Sequence, residues 1–205
     1  VTAPIVRGAI LAGGAASRFG GKPKGLEKVG GERILDRLVR AVHEVTGEPP
    51  FLVANAPAAR TWLPTIEIVP DVRPGCGSVG GIYTAVTHAA DRPVLVVAWD
   101  MPFVPPELLR ALVAGADAYD VFLPESSGKR GVEPLCGVYG PASGPPIKDR
   151  IDQEDFRAIG FHDTVKVGTL PLGEVSRYGD PALLFYNVNT AKELAEAEAM
   201  WRQRG

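Results

Sequence analysis

Cysteine is scarce in this chain, with only Cys76 and Cys136 among 205 residues. Two cysteines without C-x-x-C spacing exclude a disulfide framework and fit a reducing compartment, so a cytoplasmic location is expected. Histidine is scarce too. His43, His88 and His162 show no metal-ligand spacing, and two of them fall within helical patterns, where a surface or packing role is the ordinary one. No run of about 18 apolar residues occurs, and Val1–Arg7 lacks a charged stretch leading into a long apolar one, so neither export nor membrane insertion is expected. Charge of one sign is also missing: 22 Lys and Arg face 24 Asp and Glu, a formal net charge of −2. That balance provides no electrostatic footprint for nucleic acid or an anionic membrane, and small molecules or proteins are the expected partners.

What is present is an ordinary globular composition, 45% hydrophobic and 22% charged, in a chain long enough to bury a sizeable core. One domain spanning residues 1–205 is expected. Short apolar runs at Ile5–Leu11, Phe51–Ala54, Ile66–Val69, Val94–Ala98 and Asp120–Leu123 read as strands. Between them, Ile34, Leu35, Leu38, Val39, Val42 and Val45 share one helical face, as do Ile82, Ala85, Val86, Ala89 and Ala90. A third helix is expected after Pro105-Pro106, since proline suits a first turn. The alternation predicts an α/β fold, a Rossmann-like, mostly parallel sheet with helices on both faces. Further along, Val132–Tyr139 reads as a strand, Gly140–Pro146 as a break, and Leu184–Thr190 as a short strand entering a terminal helix. Thr190 and Glu193 have the spacing of a capping box for that helix.

Chemistry concentrates where the expected strands end, because ligands of open parallel sheets bind at the carboxyl ends of the strands. The first run ends in Leu11-Ala12-Gly13-Gly14-Ala15-Ala16-Ser17-Arg18-Phe19-Gly20-Gly21-Lys22-Pro23-Lys24. Glycines allow close backbone approach to a phosphate, and two lysines with an arginine offset its charge. The loop is not a Walker A motif, since Gly21-Lys22 is followed by Pro23 and Ala16 stands where the first glycine belongs. Nor does it have the Gly-x-Gly-x-x-Gly spacing of a dinucleotide fingerprint. The fourth run delivers Asp100 in Trp99-Asp100-Met101-Pro102-Phe103, a carboxylate suited to magnesium, which takes one or two carboxylates together with substrate phosphates. The alternative is a cap for the following helix. Asp71 follows the third run and precedes a glycine-rich loop, Gly75–Gly81; it is suited to accept hydrogen bonds from a base or ribose, with a simple turn as the alternative. Cys76, between glycines and with no histidine nearby in sequence, is assigned no chemistry.

The first loop resembles the signature Leu-Ala-Gly-Gly-x-Ser/Ala-x-Arg-Met-Gly-x-x-Lys of nucleotidyltransferases that activate sugars or cofactors, with Phe19 in place of the usual methionine. Together with Asp100-Met101-Pro102-Phe103, Arg130–Cys136 and Asn187-Val188-Asn189-Thr190, the chain resembles the molybdenum cofactor guanylyltransferases, whose fold is of the nucleotide-diphospho-sugar transferase type. The resemblance implies transfer of GMP from GTP to molybdopterin with release of pyrophosphate. It implies nucleotide contacts at Leu11, Ala12, Gly13, Gly14, Asn55, Asp71 and Asp100, phosphate contacts at Lys24, charge stabilisation by Arg18, and Mg2+ on Asp100. It places Gly21, Gly77, Asn187 and Asn189 near the pterin. Ser78 stands where the family has proline, and residues 140–172 show little that aligns. Molybdopterin-synthesis proteins and molybdoenzyme acceptors are the implied protein partners. A related transferase using CTP or a sugar-phosphate acceptor is the alternative.

Overall fold

The computed structural model describes residues 6–13 and 23–204. Its strands are β1 (Arg7–Leu11), β2 (Lys28–Val29), β3 (Glu32–Arg33), β4 (Phe51–Val53), β5 (Ile68–Val69), β6 (Val94–Ala98), β7 (Val121–Pro124), β8 (Cys136–Tyr139) and β9 (Val167–Leu170). Its α-helices are α1 (Ile34–Thr46), α2 (Ala59–Trp62), α3 (Gly77–Ala89), α4 (Pro106–Gly115), α5 (Gly144–Asp152), α6 (Leu172–Val175), α7 (Pro181–Leu184) and α8 (Ala191–Arg202). No helix among the described residues is long and apolar enough to cross a membrane.

Seven strands form one sheet in the order β5-β4-β1-β6-β8-β7-β9, and β2 and β3 form a separate hairpin. Only β8 runs against its neighbours: it pairs antiparallel with β6 and β7, while the other pairings in the sheet are parallel. The expected mostly parallel α/β sheet is therefore the observed one. The central strand β6 is buried along its whole length, as its unbroken Val-Leu-Val-Val-Ala run requires of a strand covered on both faces. On one face Leu95 and Val97 pack with Ile34, Leu35 and Leu38 of α1 and Leu108, Leu109 and Leu112 of α4. On the other, Val94 and Val96 pack with Val79 and Ile82 of α3 and Ile147 and Ile151 of α5.

Four expectations are corrected. The third strand is confined to Ile68–Val69. The strand expected over Val132–Tyr139 is regular only from Cys136, with Val132 making an isolated bridge to Glu125. The break expected at Gly140–Pro146 is instead a 3-10 turn, Pro141–Ser143, running into α5, because proline in a first helical turn forfeits no hydrogen bond. Leu184–Thr190 is not a strand: Leu184 ends α7, and the residues beyond it form the loop into α8. The capping box is present. Thr190 Oγ1 accepts from the Glu193 amide at 3.2 Å, while Glu193 Oε2 accepts from the Asn189 amide at 2.8 Å and from the Thr190 hydroxyl at 3.0 Å.

Candidate functional site

The carboxyl ends of β1, β4, β5, β6 and β7 lie along one edge of the sheet, and β8 starts from that edge. Backbone hydrogen bonds continue the ladder past the strand ends: the Ala12 amide donates to Val53 O at 2.9 Å, Trp99 to Leu11 O at 3.2 Å, and Ala98 to Leu135 O at 2.8 Å. These bonds fix the residue that follows Trp99. Asp100 is buried, with its carbonyl accepting from the Val188 amide at 2.9 Å. It does not cap a helix, because α4 begins after Pro105.

Three residues distant in sequence meet here. Lys24 Nζ donates to Asp100 Oδ2 at 2.5 Å and to Asn189 Oδ1 at 2.6 Å. The Lys24 and Asp100 side chains are 17% and 10% exposed, so this pair is largely withdrawn from water. Gly25 explains how Lys24 comes so close. A Cβ on Gly25 would lie 2.5 Å from Cε3 of Trp99, so only glycine lets the Lys24–Leu26 turn rest on that indole, one residue before Asp100. Trp99 itself stacks on Trp62, with ring centroids 5.3 Å apart. Asp100 Oδ1 is buried without a hydrogen-bond partner among the described residues.

A second cluster occupies the ends of β4 and β5. Asn55 Nδ2 donates to Asp71 Oδ2 at 2.6 Å, and the Asp71 amide donates to Asn55 Oδ1 at 2.8 Å. The buried Thr84 of α3 lies behind them: its hydroxyl donates to Gly80 O at 2.9 Å, accepts from the Val72 amide at 3.0 Å, and lies 3.4 Å from Asp71 Oδ1. Thr84 carried no signal in the sequence beyond its place in a helix. Leu11 and Ala12 are buried, whereas Gly13 is exposed and a Cβ there would meet nothing within 4 Å, so it leaves open space beside the loop. Gly77, with φ +61, opens α3 in a left-handed conformation that favours glycine. Asn187 Nδ2 donates to Phe185 O at 2.9 Å, and among the described residues no hydrogen bond joins it to the Lys24 group. Gly14, Arg18 and Gly21 lie outside the described residues.

A domain model described as the MobA-like NTP transferase domain matches residues 8–202. The chain belongs to that family. It is a nucleotidyltransferase with a role in molybdenum cofactor biosynthesis. The probable molybdenum cofactor guanylyltransferase of Pelotomaculum thermopropionicum is 32% identical over 193 residues, covering 94% of this chain and 92% of that protein. The molybdenum cofactor guanylyltransferase of Desulfosudis oleivorans is 32% identical over 196 residues, covering 95% of each chain. The crystal structure of molybdopterin-guanine dinucleotide biosynthesis protein A from Archaeoglobus fulgidus shares the fold at a TM-score of 0.79, with 24% identity, 97% of this chain covered and 100% of that one.

One residue of this MobA-like transferase was missed as a site candidate. Glu133 lies between the end of β7 and the start of β8, its amide donating to Pro124 O at 3.0 Å and its Oε1 accepting from the Leu135 amide at 3.0 Å. Burial, with the Asp100 charge adding to it, raises its carboxyl above the usual carboxylate range, against the opposing pull of Arg130. The only signal in the sequence is a carboxylate one residue before Pro134 at the mouth of an apolar strand. Both cysteines are free and buried, and burial pushes the Cys136 thiol far above its ordinary value, which makes it inert.

Proposed function

We propose that the chain, acting in the cytoplasm, transfers GMP from GTP to molybdopterin and releases pyrophosphate. The observation that carries this reading is the Lys24–Asp100–Asn189 group, a cation and oxygen donors gathered at the strand ends with no serine or histidine hydrogen-bonded to them among the described residues. The names of the Pelotomaculum and Desulfosudis relatives support the choice of GTP and the cofactor. In this reaction a phosphate oxygen of molybdopterin attacks the α-phosphorus of GTP; a new P–O bond forms as the α–β bond breaks, and the bonding pair leaves with pyrophosphate. The attacking group is already an anion near neutral pH, so positioning and charge neutralisation suffice without a general base.

Leu11, Ala12, Gly13 and Gly14 are assigned to the nucleotide, with Asn55 and Asp71 toward its base and ribose. Lys24, held in place by two oxygen partners, and Arg18 offset charge that builds toward the leaving pyrophosphate. Gly21, Gly77, Asn187 and Asn189 are assigned to the pterin side. Magnesium fits the donor set of Asp100, whose Oδ1 is buried and unpartnered, with the Asn189 carbonyl oxygen facing the same Lys24 ammonium. The described residues hold no group of three or more His, Cys, Asp or Glu suited to a metal, in keeping with a metal completed by substrate phosphates. When bound, magnesium supplies electrostatic stabilisation of phosphate oxygens.

The test is pyrophosphate release with molybdopterin and either GTP or CTP as donor, and with a sugar phosphate replacing molybdopterin. Turnover with GTP and molybdopterin is expected; turnover with CTP alone, or only with the sugar phosphate, overturns the reading. Omitting Mg2+, or substituting Asp100→Ala, is expected to abolish most of the rate, and full activity in either case removes the metal role from Asp100.

A further inference from the structure

Glu133 presents an unusual combination of burial, charge and position. It is a half-buried carboxylate near Asp100, a second acid, and among the described residues no cation contacts it, Arg130 acting on it only from a distance. Withdrawing a carboxylate from part of its water without a contacting cation is unfavourable, and perturbed titratable groups at clefts concentrate at functional sites. Among the described residues its carboxylate has one hydrogen-bond partner, the Leu135 amide, which donates to Oε1. A carboxylate has about four lone-pair sites across two oxygens, so Oε2 and part of Oε1 are left to accept from a ligand. The ligand that fits offers adjacent N–H donors.

We propose that Glu133 is the acceptor for the 2-amino-4-oxopyrimidine edge of the pterin substrate, reading its ring N–H and exocyclic amino group. This inference rests on the pterin-acceptor reading above. Guanine carries the same edge, but the sheet separates the two possibilities. Asn55 and Asp71 stand at β4 and β5, whereas Glu133 stands at β8, on the far side of β1 and β6. Four strand spacings of ~4.8 Å put β5 and β8 ~19 Å apart, too far to serve one base and suited to the two heterocycles of a dinucleotide. Asp100 and Lys24 lie between them, where the phosphates joining the heterocycles would run.

Glu133→Gln is the variant of choice, because an amide oxygen can still accept from Leu135 while the negative charge and one acceptor are lost. Binding of pterin and of lumazine, which has an oxo group in place of the 2-amino group, is followed by ligand fluorescence. The unsubstituted protein is expected to prefer pterin, and Glu133→Gln to lose that preference by about 10- to 100-fold, the factor of one charge-assisted hydrogen bond. In turnover, the KM for molybdopterin is expected to rise by a similar factor while discrimination of GTP from ITP is unchanged. Equal affinity for pterin and lumazine in the unsubstituted protein, or an unchanged pterin preference in Glu133→Gln, overturns the proposal. Loss of GTP-over-ITP discrimination would instead assign Glu133 to guanine, and also overturns it. If the unsubstituted protein transfers no GMP to molybdopterin, the proposed reaction falls separately, and the pterin–lumazine comparison still decides the role of Glu133.

Discussion

Lys24 reaches an acid and an amide oxygen at the strand ends, and Lys22, two positions earlier, lies outside the described residues and is assigned no such contact. Lys24→Ala is expected to lower kcat/KM by about 100- to 1,000-fold, the usual scale for removing one preorganised charge contact, while Lys22→Ala changes it by no more than a few-fold. Steady-state rates of the two variants check this, and equal losses would remove the phosphate role from Lys24. Glu133 makes a prediction of a different kind. A carboxyl whose native pKa is raised binds its proton more tightly folded than unfolded, so its contribution favours the fold at acid pH and is lost as pH rises through the raised value. Glu133→Gln removes that charge, and its melting temperature at pH 8 is therefore expected to equal or exceed that of the unsubstituted protein; a clear fall would mean the carboxylate stabilises the loop. At this scale the site was legible where a residue type in a motif also meets its partner in space. Lys24, Asp100, Asn55, Asp71 and Asn189 do so, whereas the Asn187 amide serves its own loop and Glu133 and Thr84 acquire meaning only through neighbours far along the chain.

Among the elements, the β2–β3 hairpin is pinned by the terminal helix. Gly30 in its turn has φ +63, its amide donates to Glu198 Oε2 at 2.7 Å, and a Cβ there would lie 2.1 Å from Trp201 Nε1. Trp201 cannot yield easily, because the Arg37 guanidinium stacks 3.9 Å from its ring and Phe103 lies 6.1 Å from it. Gly31, at φ +81, faces open space. Gly31→Ala is expected to lose about 1 kcal/mol from its backbone conformation alone, and Gly30→Ala clearly more, in urea unfolding. Equal losses would show that the indole shifts freely. Strands buried on both faces were legible as unbroken apolar runs, which is why β1, β4, β6 and β7 were found. β9 was not, because Val167-Gly168-Thr169-Leu170 is a half-buried edge strand containing glycine, a pattern hard to tell from a loop. α5 was hidden by Pro145-Pro146, which open the helix where proline usually signals a stop. The Leu184–Thr190 strand was an error of the opposite kind: its apolar residues pack into the core from the end of α7 and the loop beyond it.

Across the molecule, stability and chemistry occupy different parts of the same sheet. Leu95 is fully buried near the amino end of β6, about 16 Å along an extended strand from Asp100 at the other. Leu95→Ala is expected to cost roughly 2–5 kcal/mol in urea unfolding while the kcat of the folded protein stays within about two-fold, because the cavity lies away from the site. A large loss of kcat in fully folded protein would show that the two ends of the strand are coupled. The hydrogen bond from Lys24 to Asn189 spans 165 positions, and the Val188 amide holds Asp100 from the same late segment. Synthesis proceeds at about 5–20 residues per second, so that bond cannot form until many seconds after Lys24 has been made. A nascent chain already carrying Lys24 and Asp100 lacks the amide oxygen that completes their cluster. Premature release before residue 189 therefore yields a product without the finished clamp.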